Sequence, residues 1–136
     1  MADLVSTQTL LDGDHFVIQK FTNISDGTGE TAVNKIIVAN LLPSGAGFAC
    51  NGVKINKIWA SAHGMEVRIL CDATTDLFAW VIPQNTAYIM DFSDFGGLTN
   101  DSETGKTGNV AFTTSDASAG DMYTIVIECI KTYATA

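Results

Sequence analysis

Between residues 53 and 83 the chain holds three apolar runs parted by two short breaks, Ala62-His63-Gly64 and Asp72-Ala73-Thr74-Thr75-Asp76. Gly and Asp/Thr clusters between β-branched and aromatic runs are hairpin punctuation, so the stretch predicts three consecutive antiparallel strands. In the middle run Glu66, Arg68 and Asp72 alternate with Val67, Ile69 and Cys71, the two-residue period of a strand with one wet face. The third run, Leu77-Phe78-Ala79-Trp80-Val81-Ile82, is apolar throughout. Setting Leu77, Ala79 and Val81 toward the core puts Phe78, Trp80 and Ile82 on the other side, where leaving them wet forgoes about 1.5–3 kcal/mol apiece. Three covers compete: the loop at 94–109, a second subunit, or a ligand lying in a groove. Trp and Phe anchors concentrate in subunit interfaces, so Phe78, Trp80 and Ile82 are the expected interface residues.

The rest of the chain reads in the same way. Residues 4–11 are a first strand closed by Asp12-Gly13-Asp14. Residues 15–24 are a second, with Phe16 and Ile18 on one side and Val17 and Phe21 on the other. Residues 32–42 are two-valued, because Val33, Ile36, Ile37 and Leu41 fit a helical stripe. The Ile36-Ile37-Val38 run is stiff at its β-branched side chains, so a strand is expected. Further strands fall at 86–92, 110–114 and 122–131, and the longest irregular stretch is 94–109. About 8–9 strands in regular spacing, with no helix expected, describe one all-β domain over residues 1–136. Its expected form is an antiparallel β-sandwich, jelly-roll-like.

Charged residues make up only 16% of the chain against 46% apolar ones, where a typical soluble domain has about a quarter charged. That shortage again favours self-association. The net charge is −8 and the seven basic residues are scattered, which argues against nucleic acid and against anionic membrane as partners. The opening residues show neither the basic nor the apolar segment of a secretory signal, and no apolar stretch has membrane-spanning length. Cys50, Cys71 and Cys129 are odd in number, and Cys71 and Cys129 fall on the apolar sides of their strands, so all three are expected as reduced thiols. The patterns Asn23-Ile24-Ser25 and Asn100-Asp101-Ser102 match glycosylation acceptors but lack a secretory context.

No catalytic constellation emerges, and the chain is expected not to be an enzyme. Gly105-Lys106-Thr107 lacks the earlier glycine and the following helix of a phosphate loop. Asp94-Phe95-Gly96 spells the kinase metal triplet without any other kinase part. A Cys71–His63 nucleophile pair has no third group to orient the imidazole. Asp12, Asp14, Asp26 and Glu30 flank turns at spacings too irregular for a calcium loop, and two histidines without cysteines at ligand spacing make zinc unlikely. No metal and no cofactor are implied.

Several stretches resemble a family of small virion structural proteins of tailed bacteriophages. They are residues 1–13, 20–30 and 55–59, then Asp72-Ala73-Thr74-Thr75-Asp76, Asp91-Phe92-Ser93-Asp94-Phe95-Gly96-Gly97, Gly105-Lys106-Thr107-Gly108 and 123–132. The resemblance is collinear over nearly the whole chain, and none of its motifs is catalytic. It implies a bacteriophage virion protein, assembled in the host cytoplasm, whose partners are copies of itself and a major capsid or other virion protein. The acidity places it outside the packaged DNA, which suits a capsid cement or decoration protein held by many weak, repeated contacts. A tail, neck or baseplate subunit is the alternative. From another class comes a carbohydrate-binding β-sandwich of a host-recognition fibre, with exposed aromatics stacking on sugars.

Overall fold

The computed structural model describes residues 4–27, 29–43, 45–73, 76–95, 97–98, 108–115 and 117–133. The strands are β1 (Leu4–Asp12), β2 (Phe16–Asp26), β3 (Val33–Ile36), β4 (Cys50–His63), β5 (Glu66–Cys71), β6 (Leu77–Ile82), β7 (Thr86–Asp91), β8 (Val110–Ser115) and β9 (Ala119–Tyr133). They form two antiparallel sheets, one ordered β1-β2-β9-β4-β7 and the other β3-β8-β5-β6. The pairs β2–β9, β3–β8, β4–β7 and β5–β6 are nested in sequence. The eight strands from β2 onward are therefore one long hairpin, with its tip between β5 and β6, rolled up so that its arms alternate between the sheets. That is a jelly roll, with β1 added at one edge.

The alternation expected of β5 is present: Val67, Ile69 and Cys71 are buried, and Arg68 lies outward beside Glu66 at 3.1 Å. Phe21, Phe112 and Tyr123 meet edge-on at centroid distances of 5.3 and 5.7 Å, joining the two sheets through the core. Such ring contacts add about 0.5–1.5 kcal/mol beyond their burial.

Three expectations are corrected. The stretch 53–83 is not a three-strand meander, because β4 and β5 lie in opposite sheets. Gly64, at φ 83°, and the fully buried Met65 carry the chain across the sandwich between them. Both strands have core-facing alternation, and apolar faces can meet by stacking across a core as well as by sharing a sheet. Second, residues 32–42 give only the short strand β3 and then a 3-10 turn at Val38–Asn40. The Val38 amide donates to the Asn109 side chain at 2.9 Å, so the backbone leaves the sheet there.

The third correction concerns Phe78, Trp80 and Ile82, which do not share a face. Ile82 stands opposite Val67 and Trp80 opposite Ile69, so both look into the core. Phe78 stands opposite Leu70, because Ala79 is the extra residue of a β-bulge. Ile82 is 0% exposed and Phe78 61%. The Trp80 indole N–H donates to the Tyr88 hydroxyl at 2.5 Å, and its ring meets Phe92 edge-on at 5.0 Å. A strand apolar on both sides offers no period from which to read which side is in. As a covering loop, most of 94–109 lies outside the described residues. Within it, Leu98 bridges to Ile55 of β4.

Ile82→Ala should cost about 2–5 kcal/mol by opening a core cavity, whereas Phe78→Ser should stay within about 0.5 kcal/mol. Urea unfolding of the two variants checks the assignment, and equal losses would contradict it. Ile69→Asp should abolish folding, since it buries an unpaired charge, and Arg68→Ala should be mild.

Candidate functional site

Among the described residues no layer covers the outer face of the five-stranded sheet. Opposite residues of an antiparallel pair share a side, so the register lines them into rows across the strands. One row runs Ile89, Trp59, Val126, Lys20 across β7, β4, β9 and β2. The next holds Ala87, Ser61, Thr124 and Thr22, and on the other side come Asp91, Lys57, Glu128 and Ile18. Leu11, Phe16, Ile24, Ile89 and Met122, all large and exposed, belong to this one face, and Ile89 is 64% exposed. An open hollow of about 460 Å³ lies between Trp59, Ser61, Ala87, Ile89, Thr124 and Val126. A second, of about 410 Å³, lies beside Ile24 and Met122 and also borders Thr124.

The charges on this face are largely answered within the chain. Lys57 stands 3.9 Å from Asp91, and Glu128 accepts from the Asn56 amide at 2.7 Å. The Asp91 carboxyl titrates below its ordinary range because Ser93 hydrogen-bonds it through side chain and backbone. What the face offers outward is apolar surface with hydroxyls at one margin. Val126 and Ile130 signal this face in the sequence, since both are apolar on the wet side of the last strand. Trp59 gives no such signal, because only the register shows that it stands beside Ile89.

Two of the titratable residues weighed for chemistry, Asp12 and Glu30, are held in ion pairs with lysines. Lys131 has its side chain fully buried and donates to Asp12 at 2.5 Å, to the Leu42 carbonyl at 2.8 Å and to the Gly13 carbonyl at 3.0 Å. Burial alone would lower its pKa, but the hydrogen bonds with Asp12 and Tyr133 outweigh it, so the pKa is raised. Glu30 is likewise buried. It holds Lys35 at 2.5 Å and accepts from Tyr123 at 2.6 Å and Asn23 at 2.9 Å. Two of the four turn acids considered for calcium are thus committed to lysines. Among the described residues no three His, Cys, Asp or Glu side chains gather into a metal-ligand set.

His63 is exposed at the end of β4, and Cys71 is buried at the far end of β5, so the structure does not pair them. All three cysteines are buried and none is in a disulfide, and burial pushes the Cys50 and Cys129 thiols upward in pKa. Asn23 is 1% exposed, which removes it as a glycosylation acceptor in the folded chain. The phosphate-loop-like residues 105–107 lie outside the described residues, and residues 93–95 form a 3-10 turn.

No protein-family model matches this chain, and no curated protein does. Among solved structures it is similar to a point mutant of a family 29 carbohydrate-binding module, at a TM-score of 0.47 and 10% identity, over 96% of this chain and 87% of that one. It is also similar to a second family 29 carbohydrate-binding module, at a TM-score of 0.38 and 8% identity, over 96% and 90%. Neither likeness says what this chain binds.

Lys131→Met should destabilise the fold by about 3 kcal/mol, because it leaves the partly buried Asp12 carboxylate and two carbonyls without the ammonium they bind. In the wild type the folded pKa of Lys131 exceeds its unfolded value, so its contribution is complete below the ordinary lysine range of about 10.4 and is lost as pH rises through the raised value. Urea midpoints of wild type and variant should therefore differ at neutral pH and converge in strong alkali.

Proposed function

We propose that this chain is a structural subunit of a tailed-bacteriophage particle, a capsid cement or decoration protein. It works by packing the outer face of its five-stranded sheet against other virion protein. The observation that carries the reading is the gathering of Leu11, Phe16, Ile24, Ile89 and Met122 on one sheet face of an acidic, charge-poor chain. Covering five such side chains is worth roughly 7–15 kcal/mol as an upper bound. That is of the order needed to offset the translational and rotational freedom lost on association. The collinear likeness to phage virion proteins in residues 1–13, 20–30, 55–59 and 123–132 supports the same class. A shell lattice multiplies a modest contact, since each copy binds beside others already held. A tail, neck or baseplate subunit would use the same chemistry.

One observation favours a second reading, a carbohydrate-binding sandwich. Trp59 sits in the open hollow with the Ser61 and Thr124 side chains beside it, and an indole flanked by hydroxyls can stack on a sugar ring while its neighbours bond the hydroxyls. The two readings separate on Phe16 and Ile24, which lie away from that hollow. Phe16→Ser with Ile24→Ser should leave a folded protein whose binding to purified particles falls about tenfold or more, a loss of about 1.4 kcal/mol. Co-sedimentation with particles measures it, and unchanged binding would overturn the assembly reading. Binding to a glycan panel that disappears with Trp59→Ala, without particle binding, would establish the second.

A further inference from the structure

We propose that two copies of this chain pair edge to edge through β7, antiparallel about a twofold axis at Ile89, making one sheet of the two five-stranded ones. The inference rests on the assembly reading above and names the first contact in it. An unpaired strand edge is a template for another strand, and proteins ordinarily blunt it with bulges, prolines, charges or shortness. Three of the four sheet edges here are blunted. β1 has a bulge at Leu10, β3 has four residues and a bulge at Lys35, and β6 has its bulge at Ala79 and ends at Pro83. β7 has no bulge and no proline, and its single charge, Asp91, stands at its last position. Its pairing with β4 is regular from Thr86 to Asp91, and residues 86–90 carry no charge.

The free side of β7 is defined by one bond. The Phe92 amide donates to the Asn56 carbonyl at 2.7 Å. Along an antiparallel strand the bonding direction alternates, so the backbones of Met90 and Tyr88 also turn toward β4. Those of Ala87, Ile89 and Asp91 are left facing outward. A strand is the occupant this pattern accepts, and the same strand turned about Ile89 fits it. Ile89 then stands opposite Ile89 of the second copy, and Asp91 opposite Ala87, so no like charges meet. A register centred on Tyr88 would enlist Asn85, where φ of 55° ends the extended backbone, whereas Phe92 still bonds to β4. Pairing at Ile89 covers the most exposed large apolar side chain among the described residues. It also joins the row Val126–Trp59–Ile89 to its counterpart, so the apolar faces of two copies become one surface.

The test is a cysteine at the axis. Residues facing each other as a hydrogen-bonded pair have Cα atoms about 5.5 Å apart, inside the span of about 4.4–6.8 Å that a disulfide bridges. Ile89→Cys should therefore form a covalent dimer under mild oxidation. Ala87→Cys, displaced along the strand from its own copy, should not, and the three native cysteines are buried and do not compete. Wild type should sediment as a dimer at micromolar concentration, and Ile89→Lys, which sets two ammonium groups against each other, as a folded monomer with an unchanged circular dichroism spectrum. Equal cross-linking at 87 and 89, or an Ile89→Lys dimer, would overturn the pairing. A monomeric wild type that still binds particles overturns the pairing and leaves the assembly reading standing. A dimer that binds no particles does the reverse.

Discussion

β9 is hydrogen-bonded on both sides, to β2 from Ala119 to Ile130 and to β4 from Met122 to Tyr133, and every other relation in the sandwich follows from it. β2 and β9 are the two ends of the long rolled hairpin. Pairing them brings together chain segments about a hundred residues apart, a costly closure for loop entropy that only a cooperative core can offset. β9 meets that need by alternating strictly, with Tyr123, Ile125, Ile127, Cys129 and Lys131 inward. Because β4 lies on its other side, β9 also places Trp59 against Val126 and thereby organises the outer face.

The ends of β9 are secured by buried charge. At one end Tyr123 reaches Glu30, which is neutralised by Lys35. At the other Lys131 spends its ammonium hydrogens on Asp12 and two carbonyls. Lys35 is turned inward by a bulge in β3, between Asn34 and Ile36. Buried ion pairs are a weak source of net stability, but they penalise any register that leaves a charge without its partner. Lys131 joins Asp12 across 119 residues, and Glu30, whose ion pair with Lys35 is local, is bound by Tyr123 across 93, so both sites select one way of rolling the hairpin. They also commit Asp12 and Glu30, two of the four acidic turn residues, to lysines.

Function then divides between the two faces of one sheet. The inner face is filled and explains the fold. The outer face pairs Lys57 with Asp91 and leaves large apolar residues exposed, and it is the face on which the proposed assembly rests. The hollow at Trp59 sets an indole beside the Ser61 and Thr124 side chains.

The sequence by itself determined the class of structure. Alternation in β9 and in most of β5 pointed to the buried side chains, and Gly and Asp clusters to where strands end, because both signals are local; β2 misleads, since it buries Gln19, Asn23 and Ser25 and exposes Phe16 and Ile24. It could not say which strands pair. β4 and β5 look like a hairpin, yet they lie in opposite sheets, since an apolar face is satisfied equally by a neighbour across the core. Nor could it orient β6, where every residue is apolar and a bulge at Ala79 has no glycine to mark it, so an unbroken period groups Phe78 with Trp80 and Ile82 while the bulge turns Phe78 to the other side. The outer apolar face was half legible, through Val126 and Ile130, and Trp59 and Ile89 were not. Only the tertiary structure decided that face, because a row across a sheet is made by register between distant strands, and register is a property of pairing rather than of any one segment.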